Sequence, residues 1–160
     1  MSSNSHTAPA AIHCSVPMRW GDMDAYGHIN NVQIVRMLEE ARVHAFGPPG
    51  GTGGPGNAPA VPLFTDVPAG TQSLVVEHRI RYVAELTYRN IPADVDVWIS
   101  ALKGASITLG YVISDPVTSK PCVRAETTLA FVDGATGALQ RLTPAQRELA
   151  AAHMGEPVFR

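Results

Sequence analysis

Between Gly47 and Leu63, eleven of seventeen residues are glycine or proline (GPPGGTGGPGNAPAVPL). Such a run can hold neither helix nor strand, because proline removes a backbone donor and glycine loses the most entropy on being ordered. It divides the chain into two parts of different periodicity. The segment is expected to be a long loop, with a lid over a buried tunnel as the functional alternative. It is not a phosphate cradle: no GxGxxG follows a strand, and no Lys-Ser/Thr follows the glycines.

Before the break, residues 12–20 (IHCSVPMRW) read as a strand, with Pro17 marking an edge or a bulge. From Asn31 to about Phe46 the period is helical. Ile34, Met37, Leu38, Ala41 and Ala45 share one face, Arg36 and Glu40 form an i,i+4 pair, and Asn30 or Asn31 is the cap. After the break the period is two. Residues 73–83, 93–103, 106–114 and 122–133 alternate, and the last three, joined by short turns, predict an antiparallel meander. In 73–83, Val76, His78, Ile80 and Tyr82 fall on one side. Thr143 and Pro144 open a short helix over 144–152. One long helix packed on one curved antiparallel sheet is an α+β solution. The expected organisation is a flexible tail over 1–11, one domain over 12–153 and a C-terminal tail over 154–160.

A net charge of −2 argues against a broad nucleic-acid surface, and no apolar run approaches the roughly 20 residues that span a bilayer. Residues 1–11 lack the basic start and apolar core of a secretory signal. Cys14 and Cys122 are expected to be buried reduced thiols, which places the protein in the cytoplasm. His6, His13, His44, His78 and His153 show no metal-ligand spacing, and HExxH, paired CxxC and GxSxG are all absent, so no metal and no serine nucleophile are expected.

The chemistry is concentrated in Arg19-Trp20-Gly21-Asp22-Met23-Asp24-Ala25-Tyr26-Gly27-His28-Ile29-Asn30-Asn31, a loop leading from strand to helix. Two carboxylates, an imidazole and two amides stand just ahead of a helix start. A carboxylate there can serve as base or nucleophile, and the free N–H groups of the first helical turn can bind an oxyanion. Asp22 is expected to orient the loop.

This loop, followed by Glu39-Glu40-Ala41-Arg42, resembles the 4-hydroxybenzoyl-CoA thioesterase family, whose motif runs aromatic, D-x-D-x-x-G-H-x-N-N, then a helix ending E-x-A-R. The resemblance is strongest over residues 18–42 and continues as pattern to about Pro144. It implies a hot-dog fold, in which a curved antiparallel sheet wraps one long helix. It also implies hydrolysis of acyl-CoA thioesters without metal or organic cofactor, by a homodimer or homotetramer whose site lies between protomers. Carried onto this chain, it makes Asp24 the catalytic carboxylate and the backbone N–H of Asn31 the group that polarises the thioester carbonyl. His28, Asn30, Ile34, Lys103 and Ser106 are the expected substrate-side positions, with His28 placing water, Asn30 fixing the loop, and Glu39 and Arg42 making a structural contact near the dimer interface. Two departures bear on substrate. Ile34 stands where the family often has an aromatic, which weakens the case for an aromatic acyl group. The turn before Ser106 keeps only Lys103 of the basic residues some members carry, which leaves an acyl-carrier protein as an alternative donor. A hot-dog hydratase or dehydratase using Asp24 and His28, and a non-catalytic acyl-binding protein, are the other classes open.

Overall fold

A computed structural model describes residues 10–49, 58–65 and 67–160. Most of the expected N-terminal tail and residues 50–57 of the expected long loop, the lid alternative with them, lie outside the described residues. The chain forms β1 (Ile12–Val16), a 3-10 turn (Trp20–Asp22), α1 (Asn31–Phe46), β2 (Thr71–Tyr82), β3 (Ala93–Leu102), β4 (Ser106–Ser114), β5 (Pro121–Asp133) and α2 (Pro144–Ala151). Strand β1 is shorter than the expected 12–20, because Pro17 has no N–H to continue the ladder. Helix α2 has the expected start: the Thr143 hydroxyl accepts from Gln146 N–H, and the Gln146 side chain accepts from Thr143 N–H.

The strands make one antiparallel sheet in the order β1-β3-β4-β5-β2. The meander β3-β4-β5 is its centre, and β1 and β2 are added at opposite edges. With α1 laid across one curved face, this is the hot-dog fold. The predicted helical stripe is buried in full, from Ile34 through Ala45, and Phe46 joins it. Each large apolar side chain so buried contributes about 1.5–3 kcal/mol. Facing it are Val95, Val97, Ile99, Leu109, Tyr111 and Ile113, all essentially inaccessible. Arg42 is buried on the same helix. Arg36 pairs with Glu39 at 2.7 Å rather than with Glu40, so the i,i+4 contact expected from spacing is an i,i+3 contact.

A bulge between Val75 and Glu77 shifts the face of β2. Val75 opposes Leu129, whereas His78, Ile80 and Tyr82 oppose Thr127, Ala125 and Val123. Val76 therefore does not share a row with His78, as strict alternation predicted. Strand β2 keeps one edge unpaired among the described residues, and Leu74, Val75, Val76 and Tyr82 are all exposed on it.

Met154 and Gly155 pair with Ile99 at the edge of β3, and the residues after them cross to the sheet face away from α1. Trp98 Nε1 donates to Glu156 O at 2.8 Å, and Glu126 accepts from the N–H groups of Val158 and Phe159 at 3.0 Å each. Both cysteines are free and buried, and burial pushes the Cys14 thiol up to about 11, which leaves it unreactive at neutral pH. No helix among the described residues is long and apolar enough to cross a membrane.

Candidate active site

The loop between β1 and α1 folds on itself through its two aspartates, which point to different tasks. Asp22 is buried. Its carboxylate accepts from Arg19 N–H at 2.8 Å and from the Arg19 guanidinium at 2.9 and 3.1 Å, and its carbonyl accepts from Asn30 N–H at 2.8 Å. It ties the start of the loop to the helix cap, which is the orienting part expected of it. Asp24 is half-buried and closes a small turn. Its Oδ1 accepts from Tyr26 N–H at 2.7 Å and His28 N–H at 3.1 Å, while its own N–H donates to His28 O at 2.7 Å. The turn needs Gly27, whose φ of +78° lies in the left-handed region. One carboxylate oxygen is thus anchored twice, and Oδ2 has no partner among the described residues.

Asn30 is the helix cap. Its Oδ1 accepts from Val32 N–H at 2.9 Å, and its carbonyl accepts from Gln33 and Ile34 N–H at 2.9 and 3.1 Å. In this first turn the N–H left without an acceptor among the described residues belongs to Asn31, the first helical residue. That unspent donor, at the positive end of a sixteen-residue helix, is suited to an oxygen that gains negative charge.

Asp24 and Asn31 both line one cavity of about 420 Å³, whose lining also includes His28, Asn30 and Ile34. Its other wall is the segment 82–86, which spacing gave no reason to single out. That segment is held by long-range main-chain bonds: Ile29 N–H donates to Leu86 O at 2.8 Å, Tyr88 N–H to Gly27 O at 3.1 Å, and Val83 N–H to Cys122 O at 2.9 Å. It brings Glu85, whose Oε2 sits 3.2 Å from His28 Nε2. No lysine or arginine is among the lining residues.

Lys103 and Ser106 are not brought to this cavity. They stand at the β3–β4 turn, where Lys103 N–H donates to Ser106 O at 2.9 Å and Ser106 is in register with Ala130. Val123, which lines the cavity, lies seven residues away along β5, roughly 20 Å at strand rise. The described parts of the 47–63 segment are also remote. Ala60, Val61 and Phe64 donate to the carbonyls of His44, Ala45 and Phe46, at the opposite end of α1. Among the described residues no cluster of three His, Cys, Asp or Glu side chains could hold a metal ion.

The hot-dog sheet thus carries a carboxylate turn set before an open helix start. The chain belongs to the Thioesterase-like superfamily, whose family model matches residues 18–153. This supports thioester hydrolysis as its chemistry. No curated protein sequence matches the chain. Solved structures share its fold at low identity. A thioesterase superfamily protein from Jannaschia sp. CCS1 is 20% identical with a TM-score of 0.71, covering 96% of this chain and 98% of that one. A thioesterase from Thermus thermophilus, complexed with coenzyme A and Zn, is 18% identical with a TM-score of 0.64, covering 92% of this chain and 97% of that one. The 12:0-ACP thioesterase from Umbellularia californica is 14% identical with a TM-score of 0.70, covering 94% of this chain and 56% of that one.

Proposed function

We propose that this protein hydrolyses an acyl-CoA thioester to free acid and coenzyme A, as a member of the 4-hydroxybenzoyl-CoA thioesterase group. Asp24 acts as base or nucleophile, and the Asn31 N–H acts as oxyanion donor. The observation that carries the reading is the meeting of a singly free carboxylate oxygen and an unspent helix-terminal N–H on one cavity. As base, Asp24 takes a proton from a water that attacks the carbonyl carbon. The carbonyl oxygen becomes an oxyanion at Asn31, and collapse expels the thiolate, which leaves as the thiol once protonated. As nucleophile, Asp24 forms a mixed anhydride with release of the thiol, and water then cleaves it. His28, held by Glu85, stands where it can place the water. Asn30 fixes the loop, and Ile34 shapes the acyl side of the cavity.

We further propose that the active unit is a homodimer formed along the free edge of β2, alone or doubled into a tetramer. A twelve-residue exposed strand with apolar side chains pairs readily with a second copy. Lys103 and Ser106 then meet substrate from a neighbouring protomer. Two reduced cysteines suit the cytoplasm.

The lack of basic residues in the cavity lining favours a second reading, in which the acyl group arrives on a carrier protein. Thiol release measured with one acyl group on both donors tests the two. The first reading predicts kcat/KM on acyl-CoA at least equal to that on acyl-carrier protein, and the reverse ranking supports the second. Water addition to an enoyl-CoA without thiol release, or tight binding with no turnover on either donor, contradicts both.

A further inference from the structure

We infer that the preferred acyl group carries a carboxylate at its far end, and that Arg42 receives it. This rests on the thioesterase reading, because the reacting carbonyl is the fixed point from which the acyl chain is measured.

The Asp24 cavity and a second one lie on the same flank of α1. At helical spacing, Asn31, Val35, Glu39 and Arg42 form one strip along the helix. Opposite runs the inner row of β2, from Tyr82 in the first cavity through Ile80 and His78 to Val75 and Ser73. Val75 and Ser73 line the second cavity with Glu39, Arg42, Phe64 and Leu129, around about 230 Å³. A helix flank and a strand row thus run from the catalytic end toward a distal chamber, although the two cavities share no lining residue.

The carboxylate that lines the chamber, Glu39, does not satisfy Arg42. Arg42 is 8% exposed, and its Nη1 is buried with no hydrogen-bond partner among the described residues. Its Nη2 reaches Glu39 Oε2 at 3.3 Å, but the other Glu39 oxygen is taken by Arg36 at 2.7 Å. Two guanidinium groups share one carboxylate, so one positive charge is left over. The other surrounding groups are neutral. The Ser73 hydroxyl is buried and unpartnered among the described residues, and burial pushes the Tyr111 phenol up against the opposing pull of the nearby Arg42 and Thr127 side chains. Burial, helped by Arg42, holds the His78 imidazole below its ordinary value, and its Nδ1 lies 2.9 Å from the Thr127 hydroxyl. A buried guanidinium with an unused N–H beside neutral hydroxyls is the donor set for a carboxylate, and leaving it empty is costly.

Arg42 lies eleven residue steps beyond Asn31 along the helix, about 16 Å, and helix side chains lean back toward the N-terminus. An extended chain advances about 1.2 Å per bond, so a diacid of roughly eight to twelve carbons spans the distance.

The test compares octanedioyl-, decanedioyl- and dodecanedioyl-CoA, each with one free carboxylate, against the monoacid thioesters of equal length. The readout is kcat/KM for thiol release by the wild type, Arg42→Gln and Arg42→Lys. The wild type is expected to favour at least one diacid chain by roughly ten- to a hundredfold, expressed in KM. Arg42→Gln brings that ratio to about one, and Arg42→Lys restores part of it. Equal rates on the two series overturn the inference, as does an Arg42→Gln variant that folds and keeps the ratio. Free octanedioate that stimulates octanoyl-CoA turnover assigns the chamber to a free acid and overturns the chain-borne form. Binding of non-hydrolysable thioether analogues, by calorimetry, reads the same preference without turnover. A diacid preference in binding with no hydrolysis upholds the inference and removes the thioesterase reading. Hydrolysis without that preference does the opposite.

Discussion

Asp24→Asn lowers thioester turnover by about 10³-fold and leaves the melting temperature nearly unchanged. The structure explains why these two effects separate. One carboxylate oxygen holds the turn, accepting from the N–H groups of Tyr26 and His28. An amide oxygen can accept the same two bonds, so the loop keeps its shape. The other oxygen has no partner among the described residues in a side chain that lines the cavity, and an amide nitrogen in its place can neither take a proton from water nor attack a carbonyl carbon. Asp24→Ala is the contrasting variant, since it removes the turn acceptor as well and lowers stability together with activity. Thiol release and thermal denaturation of the two variants give the comparison. Full activity in Asp24→Asn moves the base to the neighbouring His28–Glu85 pair.

Asn31→Pro lowers kcat by roughly 10²–10³-fold while the helix persists. The first helical position accepts proline because its N–H has no partner inside the helix and its φ is already suitable. The residue before a proline must be extended, and Asn30 is, with φ −60° and ψ 140°. The substitution therefore removes the proposed oxyanion donor and little else. Circular dichroism checks the helix and thiol-release kinetics check the donor. Unchanged kcat with an intact helix means that the carbonyl oxygen lies elsewhere.

Local chemistry made part of this molecule legible in its sequence. The bounds of α1 follow from a capping asparagine at one end and the Gly47-Pro48 break at the other, and both act within a turn of the helix. The meander β3-β4-β5 follows from short connections. The orienting part of Asp22 was readable as the ordinary task of a turn aspartate, whereas the catalytic part proposed for Asp24 came from resemblance. Relations set by tertiary contact were not readable. Nothing in the alternation of 73–83 announces the bulge after Val75, because a bulge is fixed by the partner strand. The second wall of the cavity, 82–86, has no motif, since main-chain bonds to Leu86, Gly27 and Cys122 carry it there. Arg42 was expected only to make a structural contact with Glu39 near the dimer interface, and only the packed sheet shows that one of its nitrogens is buried without an acceptor among the described residues. Lys103 and Ser106 came from resemblance alone, and the fold sets them far along the strands from Asp24.

The most direct test is a crystal structure with an acyl-CoA analogue in which a methylene separates the carbonyl from sulfur. Hydrolysis at Asp24 predicts the carbonyl oxygen about 2.7–3.1 Å from the Asn31 nitrogen, with the free oxygen of Asp24 facing the carbonyl carbon directly or through one water. An analogue bound with its carbonyl outside this cavity, and Asp24 turned away from it, would contradict the account.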